Sequence, residues 1–410
     1  MTRLWNKNFS ILTIGSFVSA LGSAAAGVVF GVKIYEETHS TLYLGLFIIA
    51  NIIPRLIANF AVGPYVDRHS RIKTIFTLDF FSAASFSLIA AVLATGYFNI
   101  WVFTVVGAFF GIVDTLYQTA FMSLFPEVVP QGKHSQAYSI SSLIWPLSGA
   151  IMAPIAIWFK GALPESGFAL IMLFNAVTFL IAAFMETKIH VEETLNTSVV
   201  EAHRFRTDLK EGIAYYRKER GILGIGLLFM AFSFVYAVSD VLKMPFFFDS
   251  PTFTLNQFAL LISFSSVGRI VGGVFHYLYV FKKEHKFLIA ISVYFTVEIL
   301  DAIMLLTPFW FMALSSFLVG VLSVTSFNIR MAATQTYIPS AKRGRVNAVQ
   351  TLLWNMGAIA GTLIFSLLGE FTNIGYQWLI LAAAGVSISA IFIFPLRMRK
   401  DFRDIYNVDV

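Results

Sequence analysis

The sequence predicts an all-α integral membrane protein with twelve transmembrane helices in two six-helix pseudo-repeats. Composition is the first observation. Of 410 residues, 57% are hydrophobic and 13% charged, and mean hydropathy is +0.75. A soluble chain carries about 25% charged residues to wet its surface, whereas here the 43 Phe outnumber the 29 Lys and Arg together. Such a chain is solvated by lipid, which argues against a cytosolic enzyme, a nucleic-acid-binding domain or a disordered protein. The second observation is a series of twelve apolar runs, each long enough to span the hydrocarbon core. The third is a one-sided distribution of basic residues. No cysteine is present and the seven His show no metal spacing, so no disulfide, thiol nucleophile, metal or cofactor is expected.

In order, the runs lie at about 9–35, 42–64, 74–95, 100–124, 137–159, 167–187, 221–247, 255–280, 286–306, 309–333, 346–369 and 375–395. Each is read as a helix, because a spanning backbone must satisfy its own hydrogen bonds and runs of this length are too long for barrel strands. The first run exceeds a signal-peptide core and lacks a small-residue cleavage site after it, so it is kept as a helix of the mature protein. The hydrophilic stretch 188–220 separates an N-terminal half (1–187) from a C-terminal half (221–410). Its Asp208–Arg220 portion, with Ile213, Tyr216 and mixed charges, suits a short helix lying at the inner membrane surface and linking the halves.

An even number of spans puts both termini on one side. If that side is cytoplasmic, its segments hold 23 of the 29 Lys and Arg, the outer loops hold only Lys160, and the remaining five lie within spans. This bias is the positive-inside pattern and predicts a multi-pass plasma (inner) membrane protein with both ends inside. The basic pI then needs no nucleic-acid partner. The halves also show traces of duplication: an offset of 214 carries Arg55 of span two to Arg269 of span eight and Asp114 of span four to Asn328 of span ten. Pro130, Trp145 and Gly149 around span five find counterparts in Pro339, Trp354 and Gly357 around span eleven. Parallel six-span repeats around a midplane site are a transporter architecture.

The loop after span two reads G-P-Y-V-D-R-H-S-R-I-K from Gly63 to Lys73. It resembles the signature G-x-x-x-D-R-x-x-R-[KR] of the major facilitator superfamily, with Gly63, Asp67, Arg68 and Arg71 at the matching positions and Lys73 one place late. The resemblance implies a conformational latch: Gly63 permitting close helix contact, Asp67 pairing across the half interface with a cation or a helix N-terminus, and the arginines holding the loop at the inner surface. The second copy, after span eight, has lost the acid. Span five carries Gly149 and Pro154 in a segment similar to the antiporter motif G-x-x-x-G-P-x-x-G-G, though Ala153 replaces the second Gly and Ile157-Trp158 the last pair. Gly149 and Pro154 are expected to bend that span against its neighbour. Gly107 stands near the place of an arginine found in many proton-coupled members. The short loops, Pro54-Arg55 and the linker most resemble the macrolide-efflux-like branch of drug:proton antiporters.

A charge near the bilayer centre needs a partner or a cavity. Lys33, Asp240 and Lys243 lie near outer ends and are expected to snorkel. Asp79 and Arg330 lie about a turn inside the inner ends, where interface pairing is expected. Arg55 is about 20 Å and Asp114 about 21 Å from the outer ends of their spans at 1.5 Å per residue, so the two can pair if the spans are neighbours. Arg269 is mid-span in eight, and Glu298 and Asp301 share a face of span nine at i and i+3. Asp114, Glu298 and Asp301 are the proton-coupling candidates, with Arg55 and Arg269 as charge partners. Trp145, Tyr117 and Phe246-Phe247-Phe248 suit an apolar substrate. The reading is a monomeric secondary active transporter, not an enzyme, working by alternating access: proton-coupled efflux of an amphipathic or hydrophobic small molecule. An importer of a nutrient, or a lipid flippase, is the alternative on the same fold. No nucleotide-binding G-x-x-x-x-G-K-[ST] occurs.

Overall fold

The computed structural model describes residues 4–164, 166–193, 203–279 and 281–408, apart from the side chains of 60, 135, 203–208 and 341. Arg3, the side chains of Arg204, Arg206 and Asp208, and the middle of the 188–220 stretch lie outside the described residues. Among the described residues, twelve helical segments are long and apolar enough to cross a membrane, one for each run of the sequence. Packing divides the chain into two compact units, Met1–His39 with Leu46–Val200, and Ser40–Gly45 with Glu201–Val410.

The first unit contains α1 (Lys7–Thr38), most of α2 (Thr41–Arg68), α3 (Arg71–Ala94), α4 (Ile100–Val128), α5 (His134–Ser141), α6 (Ile144–Ala162) and α7 (Gly167–Glu186). Asn6 caps α1 by accepting from the Phe9 amide at 2.8 Å, and His39 ends it in the left-handed region at φ 46°. α1 packs on α6 and α7, and α3 on α4 and α7. One expectation changes, and one feature is new. The signature segment is not a loop: α2 stays helical through Arg68, leaving only His69 and Ser70 before α3, whose N-cap is Ser70. The fifth span is interrupted at Ser142-Leu143, upstream of Gly149 and Pro154, both of which lie inside α6. Pro146 accounts for the break, because its ring excludes the carbonyl of residue i−4, which is Ser142.

α2 and α4 meet closely because Gly107 and Gly111 have no side chains. A Cβ at Gly111 would lie 2.5 Å from the Asn51 carbonyl oxygen, and one at Gly107 2.7 Å from the Phe47 ring. Asn51 Nδ2 donates to the Gly107 carbonyl at 3.0 Å and fixes the register.

The second unit contains α8 (His203–Lys218), α9 (Arg220–Asp249), α10 (Leu255–Leu278), α11 (Lys283–Ile303), α12 (Phe309–Tyr337), α13 (Arg343–Phe371), α14 (Tyr376–Ile391) and α15 (Arg399–Tyr406). α9 packs on α13 and α14, and α11 on α12 and α14, repeating the pattern of the first unit. α10 and α12 approach as α2 and α4 do: a Cβ at Gly268 would meet the Phe317 carbonyl at 2.1 Å and one at Gly320 the Ser265 carbonyl at 2.2 Å. The helix expected at the membrane surface, α8, docks on α13. Tyr216, 3% exposed, donates to Gln350 Oε1 at 2.9 Å, and Glu211 pairs with Arg345. Burial pushes the Tyr216 phenol up, so it stays a donor. A helix that hydropathy alone does not show, α15, buries Phe402, Ile405 and Tyr406, and Tyr406 shares a 2.7 Å hydrogen bond with Tyr294 of α11.

Candidate functional site

The α2–α4 contact places Arg55 and Asp114 one turn beyond it, and Arg55 Nη2 lies 2.5 Å from Asp114 Oδ2. The pairing expected from depth is made. It faces a cavity of about 950 Å³ lined wholly by the first unit. Aromatic rings form much of the wall: Phe86 stacks on Phe110 at 4.5 Å between centroids and on Phe179 at 5.7 Å, and Phe30 stacks on Phe47 at 6.0 Å. Tyr117 and Trp145 also line it, as their place in the sequence suggests. Phe247 does not; it is 1% exposed and packs on Phe253 and Phe258.

A second acidic feature on this cavity was not legible in the sequence. Asp79 of α3, which lines the cavity, is 1% exposed, and Glu186, the last residue of α7, is 0% exposed. Their carboxyls lie within hydrogen-bonding reach of each other. Tyr117 donates to Glu186 Oε1 at 3.4 Å and shares a 3.3 Å contact with Ser16 of α1. Neither oxygen of Asp79 receives a donor, and no cation among the described residues pairs with either acid. The expected interface ion pair at Asp79 is therefore replaced by an acid–acid contact. Two buried like charges in contact repel each other, and no cation among the described residues offsets them.

Charges of the second unit are arranged differently. Lys243 does not snorkel; its Nζ lies 2.5 Å from Asp301 Oδ1, and Ser239 donates to Asp301 Oδ2 at 2.6 Å. Glu298, 8% exposed, accepts from Ser387 at 2.5 Å. Arg269 is exposed and within reach of the Tyr236 hydroxyl rather than of an acid. Arg330 makes no ion pair among the described residues and stacks on Phe229, with its Cζ 4.2 Å from the ring centroid. In the first unit Lys33 pairs with Glu37, and Lys160, the lone basic residue of the outer loops, pairs with Glu36 at 2.7 Å.

At the signature segment, Arg71 is 8% exposed and paired with Glu127. Its backbone amide donates to Glu193 Oε2 at 2.5 Å, beside a 2.6 Å bond from Ser70 to Glu193 Oε1. Arg68 is exposed, and Asp67 is half-buried without a hydrogen-bond or ion partner among the described residues. Gly63 does not make the close helix contact expected of it, since a Cβ there would meet nothing within 4 Å. Gly107, where an arginine was sought, serves helix packing instead.

A sequence model of the Major Facilitator Superfamily matches residues 12–303. Macrolide efflux protein A of Streptococcus pyogenes is 23% identical over 413 residues, covering 97% of this chain and 98% of that protein. A protein of the same name from Enterococcus faecalis is 24% identical over 255 residues, covering 59% of this chain and 74% of its own. Among solved structures, a bacterial homologue of the iron transporter ferroportin in its inward-facing state superposes with a TM-score of 0.70 at 17% identity, over 96% of this chain and 98% of that one. The nucleoside transporter NupG superposes with a TM-score of 0.69 at 14% identity, over 95% and 99%. At these identities the structures share the fold.

Proposed function

The chain belongs to the major facilitator superfamily, and from that premise we propose that it is a secondary active exporter, driving proton-coupled efflux of an amphipathic or hydrophobic small molecule by alternating access. The observation that carries this reading is the aromatic-walled cavity of about 950 Å³ with a buried carboxyl pair, Asp79 and Glu186, at its edge. The apolar rings suit a large hydrophobic body, and the relatives named for macrolide efflux support a macrolide as the first compound to try. Of the four anionic features, Asp114 and Asp301 each have a cation at 2.5 Å and form balanced pairs. Glu298 is bonded to Ser387, and the carboxyl pair of α3 and α7 has no compensating cation. Proton exchange is therefore assigned first to Asp79–Glu186 and second to Glu298, with Arg55–Asp114 as a polar anchor on the cavity wall. Asp67 is the unengaged member of the latch and closes it in the outward-facing state, while Arg71 is held by Glu127. The protein works as a monomer in the inner membrane with both termini cytoplasmic.

The test is accumulation of labelled erythromycin in proteoliposomes with and without a proton gradient. Wild type accumulates the drug only with the gradient. Asp79→Asn and Glu186→Gln lose gradient-driven accumulation but keep gradient-free exchange. Equal accumulation by wild type with no gradient sinks the coupling. Retained accumulation in both variants moves the proton to Glu298, where Glu298→Gln is the corresponding test.

A further inference from the structure

One cation that the transport reading leaves unused is Arg330. It lies on α12 beside a cavity of about 320 Å³, enclosed by α8, α9, α12 and α13 and separate from the larger cavity of the first unit. One face of its guanidinium is covered by Phe229, so its edge is what remains for a polar partner. Its Nε is buried with no acceptor, and no carboxylate among the described residues pairs with it. A second donor on the same cavity is also unanswered. Gln350 uses its carbonyl to accept from Tyr216, while its Nε2 is buried with no acceptor. Asn347 is oriented in the same sense: its Oδ1 accepts from Gln335 at 3.0 Å, leaving its amide NH2 as the group to offer. Among the described residues, no Asp or Glu lines the cavity. Two amides of α13 have thus spent their acceptors on the protein and, with the donor-only guanidinium of Arg330 on α12, offer N–H groups to this cavity.

The duplication shows that the fold itself does not require this charge. The offset of 214 that relates the halves takes Arg330 back to Leu116, an apolar residue. An arginine with a buried, unanswered nitrogen is retained when something else supplies the anion. We propose that this cavity is a binding site for a phosphate group, held by Arg330 with Gln350 and Asn347 as neutral donors. A guanidinium and two amides lining one cavity suit an anion with several acceptor oxygens better than a single carbonyl. The group can arrive on a phospholipid headgroup or as a free phosphate. Trp354, which lines the same cavity and is partly exposed, offers a ring against an acyl or glycerol segment.

The experiment uses the full chain, purified in a neutral detergent and stripped of lipid. Inorganic phosphate, a short-chain phosphatidylglycerol, and a diacylglycerol with the same chains but no phosphate are added in turn. Binding is read by native mass spectrometry and by the shift in melting temperature. Wild type is expected to bind one phosphatidylglycerol, one phosphate, or either in competition, and to bind diacylglycerol more weakly. Arg330→Met should weaken the phosphate-bearing ligand by about tenfold or more, the loss of one charge-assisted hydrogen bond. Gln350→Leu, which keeps the cation, should weaken it several-fold. Binding of the lipid alone identifies a headgroup site, and binding of inorganic phosphate alone identifies a free-anion site. Diacylglycerol binding as tightly as phosphatidylglycerol in the absence of phosphate binding overturns the proposal. So does failure of both phosphate ligands to bind, or wild-type affinity in the variants. Should Arg330→Met not fold, unchanged affinity in Gln350→Leu overturns it alone.

Discussion

Arg55 and Asp114 face the cavity with side chains 47% and 36% exposed, so their attraction is screened and their value is positional rather than a large term in stability. Removing one leaves the other as an unmatched charge on a mostly apolar wall. Arg55→Met and Asp114→Asn are each expected to lower erythromycin transport severalfold, and the exchange Arg55→Asp with Asp114→Arg to recover part of it, measured as initial rates in proteoliposomes. Full activity in both single variants would remove the pair from the site. Asp67→Asn should slow transport while leaving expression intact, because the acid has no counterpart in the second half to replace it; a wild-type rate would leave the segment a topogenic signal only. Depth along a helix was readable from residue counts, and it paired Arg55 with Asp114 before any helix was placed. Azimuth was not readable. Asp79 and Glu186 are 107 positions apart, each near the end of its span, and nothing in the one-dimensional pattern says that α3 and α7 turn those two faces toward each other. The same ignorance of azimuth hid the Lys243–Asp301 pair.

Helices α2 and α4 touch through bare backbone at Gly107 and Gly111, and the ion pair depends on that approach. Gly111→Ala puts a methyl 2.5 Å from the Asn51 carbonyl, so the helices must part. Transport is expected to fall in Gly111→Ala although no charged group has changed, and the melting temperature should drop with it; unchanged behaviour on both measures would show that the contact can yield. The short α15 gives the converse case, an element that lines neither cavity and holds the fold through its buried side chains and the Tyr406–Tyr294 hydrogen bond. Phe402 is 1% exposed, and Phe402→Ala should cost about 3–5 kcal/mol of stability, read as early unfolding in a fluorescence-detected melt. Apolar runs announced all twelve spans because lipid demands them. They could not announce α15, whose Phe402, Ile405 and Tyr406 follow helical spacing in a charged stretch and are apolar on one face only. The motif residues Gly149 and Pro154 lie inside α6, whereas the break in span five at Ser142-Leu143 comes from Pro146, for the local steric reason that a proline imposes on the carbonyl four residues back.

Both units repeat one packing scheme, and the six-plus-six division was legible because lipid solvation leaves the sequence little freedom within a span. Orientation rests on the basic bias and is open to direct measurement in this Cys-free chain. Lys210→Cys and Asp404→Cys, both at exposed positions, should resist an impermeant maleimide in intact cells and react after permeabilisation. Labelling before permeabilisation at either position would reverse or break the topology. The acid pair of α3 and α7 also carries an electrical consequence. On the proposed cycle, a site with two carboxyls and one proton carries a net negative charge and returns to it each time one proton is exchanged for one solute. If the solute is uncharged, each cycle moves one elementary charge across the bilayer, and the membrane voltage drives it with about 2.3 kcal/mol per 100 mV. If the solute brings its own ammonium group, the charges cancel and the cycle is silent. Capacitive currents from the protein on a solid-supported membrane, recorded with erythromycin on either side of the pH at which its amine protonates, should therefore grow as the drug becomes neutral and fade as it becomes a cation.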